Sequence, residues 1–208
     1  SAASDVYKRQ KKIGVVMDKL KQIYEAAAEK TKKETNYPPE ELVFGQGSRE
    51  SDIVLIGEAT GATEVEERRP FAGKAGKNLD EFLEITGIER ASLFITNVVK
   101  LRPFREKNGR RSNRPPTAKE IAVFSDCLEA ELDYLSPKLI VTLGNTALRA
   151  MLKDKRAVIG EYHGRLTNAG RGRLVFALYH PASVIYNRAL RDIYIEDLKK
   201  LREVVRQL

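Results

Sequence analysis

The predicted fold is decided by the stretch Ile53-Val54-Leu55-Ile56-Gly57-Glu58-Ala59-Thr60-Gly61. Four consecutive apolar residues followed by a glycine are typical of a short strand that is buried on both faces, as in a parallel sheet. Similar apolar runs recur at residues 93–99, 139–144 and 174–178, with helical patterns between them. This alternation predicts an α/β fold, a single three-layer α/β/α sandwich with a central, mostly parallel four-stranded sheet.

The predicted helices are defined by apolar residues at helical spacing. They cover residues 6–31, 75–86, 145–152 and 193–205, and a further helix opens at Thr117, where Glu120 completes a capping-box spacing. Pro38 and Pro39 close the first helix. We therefore expect residues 1–37 to form an N-terminal helical extension and residues 38–208 to form the α/β domain, with a long basic loop between residues 100 and 116.

The charge and the numbers of cysteines and histidines limit which partners and metal sites the protein can have. The 37 basic and 29 acidic residues leave a formal charge of +8, which suits a polyanionic partner such as nucleic acid and equally suits a solvated basic face. The single cysteine, Cys127, excludes an intramolecular disulfide and an all-cysteine metal site, and two histidines are too few for a histidine-rich one. Without a spanning segment or a secretion signal pattern, we expect a cytoplasmic protein.

Polar residues follow three of the predicted strands. Ligands of parallel sheets bind outside the carboxyl ends of the strands, and the turn at residues 57–61, Asn97 and His180 lie at such ends. The turn lacks the glycine patterns of dinucleotide and phosphate-binding loops. Each feature can also have a purely structural role. A buried amide can form hydrogen bonds with backbone groups, and a lone histidine is more often structural than catalytic.

Phe71 lies in a glycine-rich stretch, residues 70–76, just before a predicted helix. The ring can be part of the core. Together with the turn at residues 57–61 it can instead form a platform on which a base stacks. The pattern of this stretch alone leaves both interpretations open.

Seven segments, taken together and in order, resemble the uracil-DNA glycosylase superfamily, most closely its family-four, thermophile-type branch. The resemblance runs from about residue 42 to residue 204. The segments are residues 43–47, 57–61, 69–76, 96–100, 113–117, 137–144 and 179–183. The resemblance implies a base-excision repair enzyme that flips uracil out of DNA and hydrolyses its N-glycosidic bond, leaving an abasic site.

The resemblance also implies roles for residues of the pocket. Phe71 matches the aromatic residue that stacks on the flipped base, Asn97 the amide that reads the uracil edge, and His180 the donor to uracil O2. These three would bind the substrate together with Gly57 and Ala59, and His180 and Asn97 would also take part in catalysis.

The residue that handles the attacking water is inferred less directly. More familiar relatives carry an aspartate where this chain has Ala59. Glu58, the neighbouring residue, is therefore the catalytic candidate for positioning the water or the sugar, and Glu64 is the second candidate.

The DNA-binding residues are predicted in two places. The segment after His180 aligns with a loop that enters the minor groove, where Ile185 is the first candidate for an apolar wedge and Val184 the second. The basic loop is predicted to contact phosphates, with a solvated surface as the alternative. The other predicted DNA contacts are Lys100, Arg102, Arg110, Arg111, Arg114, Ser183 and Arg188. We expect a monomer that acts on uracil-containing DNA, single- or double-stranded. The sequence leaves open whether a sliding clamp is a partner.

The chain departs from the family pattern in ways that affect a cofactor. Family-four enzymes typically hold an iron–sulfur cluster with four cysteines, but here the N-terminal pair is absent, Leu101 stands at the third position and only Cys127 matches the fourth. A cluster needs thiolate ligands, so we expect no cluster and no other metal, with Leu101 packed inward.

Two further departures concern the loops. Thr60 replaces the usual proline in the first loop, which leaves a non-catalytic protein that binds damaged or single-stranded DNA as the alternative function. Asn113 stands near the place of a histidine that traps DNA covalently in another branch, so we expect no crosslinking.

Overall fold

The computed structural model describes residues 19–187 and 189–208. Its strands are β1 (Gln46–Gly47), β2 (Ile53–Ala59), β3 (Phe94–Val99), β4 (Phe104–Lys107), β5 (Arg110–Asn113), β6 (Leu139–Leu143), β7 (Leu166–Asn168) and β8 (Leu174–Leu178). Its α-helices are α1 (residues 19–34), α2 (Ala62–Glu67), α3 (Lys74–Thr86), α4 (Ala118–Leu135), α5 (Gly144–Leu152), α6 (Ile159–Tyr162), α7 (Pro181–Tyr186) and α8 (Ala189–Val205).

The main sheet has six strands in the order β1-β3-β2-β6-β8-β7. The four central strands are parallel, and they are the four that the apolar runs predict. Strands β1 and β7 pair antiparallel at the two edges, which raises the predicted number of strands from four to six. The edge strands have only two and three residues, too few to leave a periodic pattern in the sequence.

Helices cover both faces of the sheet, as the sequence predicts. Along β2, Val54 and Ile56 pack in one apolar cluster with α4, whereas Ile53 and Leu55 pack in a second cluster with α3 and α8. Successive side chains of a strand point to opposite faces, so a strand covered on both sides is apolar at every position. The α/β/α sandwich is confirmed.

The described part of α1 joins the main core. Leu20 and Ala27 are buried, and the Tyr24 hydroxyl donates a hydrogen bond to Glu131 on α4. The remainder of the helix predicted over residues 6–31 lies outside the described residues, and the domain boundary at residue 37 stays a prediction. No helix in the described ranges is long and apolar enough to cross a membrane.

Lys100, the residue after β3, is fully buried instead of facing DNA. Its Nζ lies 2.6 Å from Glu131 Oε2 and also donates to Thr96 Oγ1. Glu131 Oε2 accepts from Thr96 as well, at 2.9 Å. A buried charge is tolerated only where a partner and hydrogen bonds compensate it, and here both are present. The prediction that Lys100 contacts DNA phosphates is therefore wrong.

The surroundings of Leu101 and Cys127 are apolar. Leu101 is 1% exposed and packs in the cluster beneath α4, which confirms that it turns inward. Cys127 is also buried, and burial raises the pKa of its thiol to about 11. Within the described ranges, no three His, Cys, Asp or Glu side chains come together as metal ligands would. Leu101 and the buried Cys127 do not fit an iron–sulfur cluster, which needs four thiolate ligands.

The predicted basic loop contains a β-hairpin that the sequence interpretation missed. Strands β4 and β5 pair antiparallel, with Lys107 opposite Arg110. Asn108 and Gly109 connect them with φ angles of 53° and 70°. A two-residue Asn-Gly connection with both φ angles positive is the preferred hairpin turn, so this dipeptide was the available signal.

Candidate active site

A pocket of about 490 Å³ opens at the carboxyl edge of the sheet. Phe71, Asn97 and His180 all line it, although they come from the segment before α3, from β3 and from the second residue after β8. Glu58 and Ala59 at the end of β2 form another part of the wall. The convergence that the sequence predicts for these residues is confirmed.

Gly57, predicted to bind the substrate, does not itself line the pocket; it lies directly against Asn97 and Phe71, two side chains that do. Gly57 and Asn97 are partners in the parallel register of β2 and β3. A Cβ atom on Gly57 would overlap Asn97 Oδ1 and lie 2.6 Å from two atoms of the Phe71 ring. Glycine is therefore required here for space, because both the amide and the ring lie directly against the backbone of β2.

Phe71 adopts a strained backbone conformation that its neighbours hold in place. Its φ is 53°, in the left-handed region that residues other than glycine rarely adopt. Arg90 Nη2 donates to the carbonyl oxygens of Phe71 at 2.9 Å and Pro70 at 3.1 Å, and Arg90 itself pairs with Asp80. A Cβ on Gly76 would overlap the Phe71 carbonyl. Strain of this kind persists only where the surroundings fix it, as they often do at functional sites.

His180 is held as a neutral hydrogen-bond donor. Burial lowers its pKa, and the negative charges of Glu58 and Glu64 only partly oppose that effect. His180 caps α7, with Nδ1 accepting the backbone N–H of Ala182 at 3.2 Å. Since Nδ1 accepts, the ring proton belongs on Nε2, and the imidazole presents an N–H donor.

Two carboxylates face the same pocket. Glu58 is the next-to-last residue of β2 and is half-buried, and its Oε2 accepts a hydrogen bond from the hydroxyl of Thr146 on α5. Glu64 lies in the first turn of α2 and lines the pocket beside Gly61. Sequence reasoning missed Thr146, because a threonine in an amphipathic helix carries no local signal of a partner 88 residues away.

Arg114 lines the pocket, but it is not available for DNA phosphates. A guanidinium has five N–H donors. Those of Arg114 bond to the Phe104 and Pro115 carbonyls, the Tyr37 hydroxyl and both carboxylate oxygens of Glu120, at 2.7–3.3 Å. Burial would raise the pKa of Glu120, but the bonds from Arg114 and Thr117 outweigh it and hold the value at about 2. The DNA-binding role predicted for Arg114 is wrong, because its donors are already used within the fold.

The other basic residues of the hairpin region differ in their surroundings. Arg102 Nε donates to Asn113 Oδ1 at 2.8 Å, and Asn113 lines the pocket. The Arg111 guanidinium lies 4.3 Å from the ring centre of Phe104. Arg110 is exposed at the tip of the hairpin. Arg102 is thus positioned to orient a pocket amide. Arg110 projects into solvent, whereas Arg111 packs on Phe104 and pairs with Glu106, its Nε lying 3.2 Å from Glu106 Oε2.

The segment after His180 differs from the prediction at Val184. Ser183 is exposed, but Val184 is only 4% exposed and packs in the apolar cluster that includes Phe71. Val184 cannot be a free wedge for DNA without leaving the core, so that prediction is wrong. The side chain of Ile185 and all of Arg188 lie outside the described residues.

The pocket lies at the carboxyl edge of the sheet, the place where parallel α/β sheets bind small ligands. Residues 44–207 match the model of the Uracil DNA glycosylase superfamily, and the chain belongs to that superfamily.

Curated relatives span most of the chain. The Type-4 uracil-DNA glycosylase of Sulfurisphaera tokodaii is 40% identical over 174 residues, 78% of this chain and 74% of that protein. The Type-4 uracil-DNA glycosylase of Thermotoga maritima is 34% identical over 192 residues, 89% of this chain and 96% of that protein. The protein of the same name from Archaeoglobus fulgidus is 37% identical over 179 residues, 83% of this chain and 84% of that protein.

Substitution of Gly57 tests the tight packing of Asn97 and Phe71 against β2. We expect Gly57→Ala to lower the free energy of unfolding by about 1–3 kcal/mol, because the Phe71 ring and the Asn97 amide must move away from the new methyl group. Gly160→Ala is the matched control: a Cβ there would meet only Tyr179 Oη at 3.9 Å, and alanine favours its helix. Urea denaturation of both variants measures the difference. Equal stability of Gly57→Ala and the wild type would contradict the described packing.

Proposed function

We propose that this chain is a uracil-DNA glycosylase that releases uracil from DNA by hydrolysing the bond between N1 of the base and C1′ of the sugar. The observation that carries the proposal is the convergence of Phe71, Asn97 and His180 on one pocket. The Type-4 relatives, which bear this activity in their names, support it. A duplex hides the base, so the enzyme must first rotate the nucleotide out of the stack.

Recognition of uracil rests on Phe71 and Asn97. The Phe71 ring offers a flat apolar face for the extruded base. The Asn97 amide is 3% exposed and offers one acceptor and one donor in a fixed direction. Uracil has an N–H and a carbonyl oxygen on the matching edge, whereas cytosine has an exocyclic amine where the oxygen would be. A site built to pair these groups rejects cytosine because buried polar groups would be left without partners.

Bond cleavage rests on His180. As the bond between C1′ and N1 breaks, its electron pair moves onto the uracil ring and negative charge builds on O2. The Nε2–H of the neutral imidazole can donate to this oxygen and stabilise the charge where it develops. The lowered pKa of His180 suits this role, because the donor is already in its working form at neutral pH.

Glu58 is our candidate for handling the water that completes hydrolysis. Water adds its oxygen to C1′ and loses a proton, and the released uracil anion regains one. The half-buried Glu58 carboxylate at the pocket wall can orient the water or stabilise the positive charge that develops on the sugar. The small side chain of Ala59 leaves space for the water beside the Glu58 carboxylate. Because Glu58, Phe71, Asn97 and His180 belong to one chain, we propose that the monomer is active.

The tip of the β4–β5 hairpin is our candidate for phosphate contacts. Arg105, Lys107 and Arg110 are exposed, and their side chains have neither an ion-pair nor a hydrogen-bond partner among the described residues. The hairpin ends at Asn113, which lines the pocket, so one end of the hairpin adjoins the site. Arg102, Arg111 and Ser183 remain further proposed contacts.

An excision assay tests the function. We expect the protein to produce alkali-sensitive abasic sites in an oligonucleotide containing uracil and none in the matching cytosine oligonucleotide. Asn97→Asp should slow excision by about a hundredfold or more through loss of matched hydrogen bonding, and Phe71→Ala by about tenfold through loss of stacking. Asn168→Asp on the edge strand β7 is the control and should keep the wild-type rate. Tight binding without strand scission would instead support the non-catalytic DNA-binding protein.

Salt dependence tests the hairpin. Each phosphate contact contributes about 0.9 to the slope of log affinity against log salt concentration. Lys107→Ser combined with Arg110→Ser should therefore lower the slope by about 1.8. Fluorescence anisotropy with an uncleavable uracil analogue in the DNA measures it. The control is Lys32→Ser with Lys33→Ser on α1, which removes the same charge elsewhere. An equal change in both variants would mean that net charge, and not the hairpin, is responsible.

We further propose that the chain folds and works without an iron–sulfur cluster. The supporting observations are the buried Leu101 and the single cysteine, whose thiol has a pKa raised to about 11 and therefore stays protonated. Purified protein should show no visible absorption band and substoichiometric iron. A visible absorption band together with stoichiometric iron would overturn this proposal. The separate proposal that the chain excises uracil would not be affected by that result.

A further inference from the structure

Helix α5 starts directly where β6 ends, and its first turn contacts two residues of the pocket. Gly144 has a φ of 82°, and a Cβ on it would lie 3.2 Å from the Cβ of His180. Two residues later, the Thr146 hydroxyl donates to Glu58 Oε2. Neither Gly144 nor Thr146 lines the pocket, so both act on it from behind the wall.

The Thr146 hydroxyl is used in an unusual way for a residue near the start of a helix. Threonine hydroxyls in helices commonly cap their own helix or bond to a carbonyl one turn earlier. Helix α5 has no side-chain cap, and the single hydroxyl proton of Thr146 goes to a carboxylate on another element. The contact therefore joins α5 to the end of β2.

This contact decides how Glu58 can act. A glutamate side chain loses considerable rotamer freedom when it is held in one position. The bond from Thr146 fixes Oε2, and Oε1 has no hydrogen-bond partner among the residues that the structure describes. One oxygen thus holds the carboxylate in place, and the other is available to water or to the sugar.

We propose that Thr146 is a positioning residue for the glycosylase reaction, and that it acts by holding the Glu58 carboxylate in one orientation at the pocket wall. The inference rests on the proposed role of Glu58 in excision. Orientation of a reacting group contributes to the rate of the chemical step rather than to the affinity for DNA. Loss of the hydroxyl should therefore affect these two quantities differently.

The first test separates the rate from the affinity. Thr146→Val removes the donor and keeps the shape, and we expect single-turnover excision of uracil to slow by about tenfold, equivalent to the loss of one oriented hydrogen bond. The affinity for DNA with an uncleavable 2′-fluoroarabino uracil analogue should stay within about twofold. Thr146→Ser restores a hydroxyl and should recover most of the rate. Thr167→Val, half-buried on β7, is the control and should excise at the wild-type rate.

A double-mutant cycle asks whether Thr146 acts through Glu58. In a Glu58→Ala background the hydroxyl has no carboxylate to hold, so adding Thr146→Val should cause no further loss of rate. Additive losses would overturn the inference, as would a wild-type rate in Thr146→Val. Should the valine disturb packing, detected as a lowered melting temperature, Thr146→Ala removes the same donor with less bulk and replaces it in the cycle.

The outcomes also separate this inference from the proposed function. Slow excision by Glu58→Ala combined with normal excision by Thr146→Val would overturn the positioning role alone. Normal excision by Glu58→Ala would overturn both the role of Glu58 and that of Thr146, with excision itself intact. Absence of excision in the wild type would overturn the proposed function.

Discussion

The pairing of β2 with β3 places Gly57 directly opposite Asn97, and the pocket depends on this register. With no side chain at Gly57, the Asn97 amide and the Phe71 ring lie against bare backbone, close enough to share one ligand. Phe71 adopts a strained φ in this arrangement. Arg90 stabilises that conformation by donating hydrogen bonds to the carbonyl oxygens of Pro70 and Phe71. The rest of the site is arranged around the Asn97 and Phe71 side chains, with the neutral imidazole of His180 and the carboxylate of Glu58 on the walls.

Buried and half-buried ion pairs keep the elements around the pocket in place. The Lys100–Glu131 pair lies just beyond the end of β3, three residues after Asn97, and ties that strand to α4. The Arg114–Glu120 pair ties the end of the hairpin to the start of the same helix. Both basic residues belong to a charged stretch that could be taken as a DNA-binding arm. The basic residues of this stretch are therefore divided between structural ion pairs and the exposed tip of the hairpin.

The pocket combines groups whose charge states differ because their surroundings differ. Burial keeps His180 neutral, with its proton on the nitrogen that can face a ligand, while a hydroxyl from α5 supports the Glu58 carboxylate. A neutral donor and an anchored carboxylate suit a reaction in which a base leaves as an anion and a sugar becomes transiently cationic. Helix α5 contacts the residues that would serve both halves of this reaction, since Gly144 lies against His180 and Thr146 bonds to Glu58.

The sequence by itself determined the four parallel strands, the main helices and the polar residues at the strand ends. These features depend on local periodicity and on the rule that parallel strands end at one edge. Only the tertiary structure decided which charges are buried and which side chains meet. The sequence gives no sign that Lys100 would be enclosed, that Val184 would join the core or that Thr146 would reach Glu58, because each depends on residues distant in the chain. A side chain's type limits the bonds that it can form, but its partners are chosen by packing.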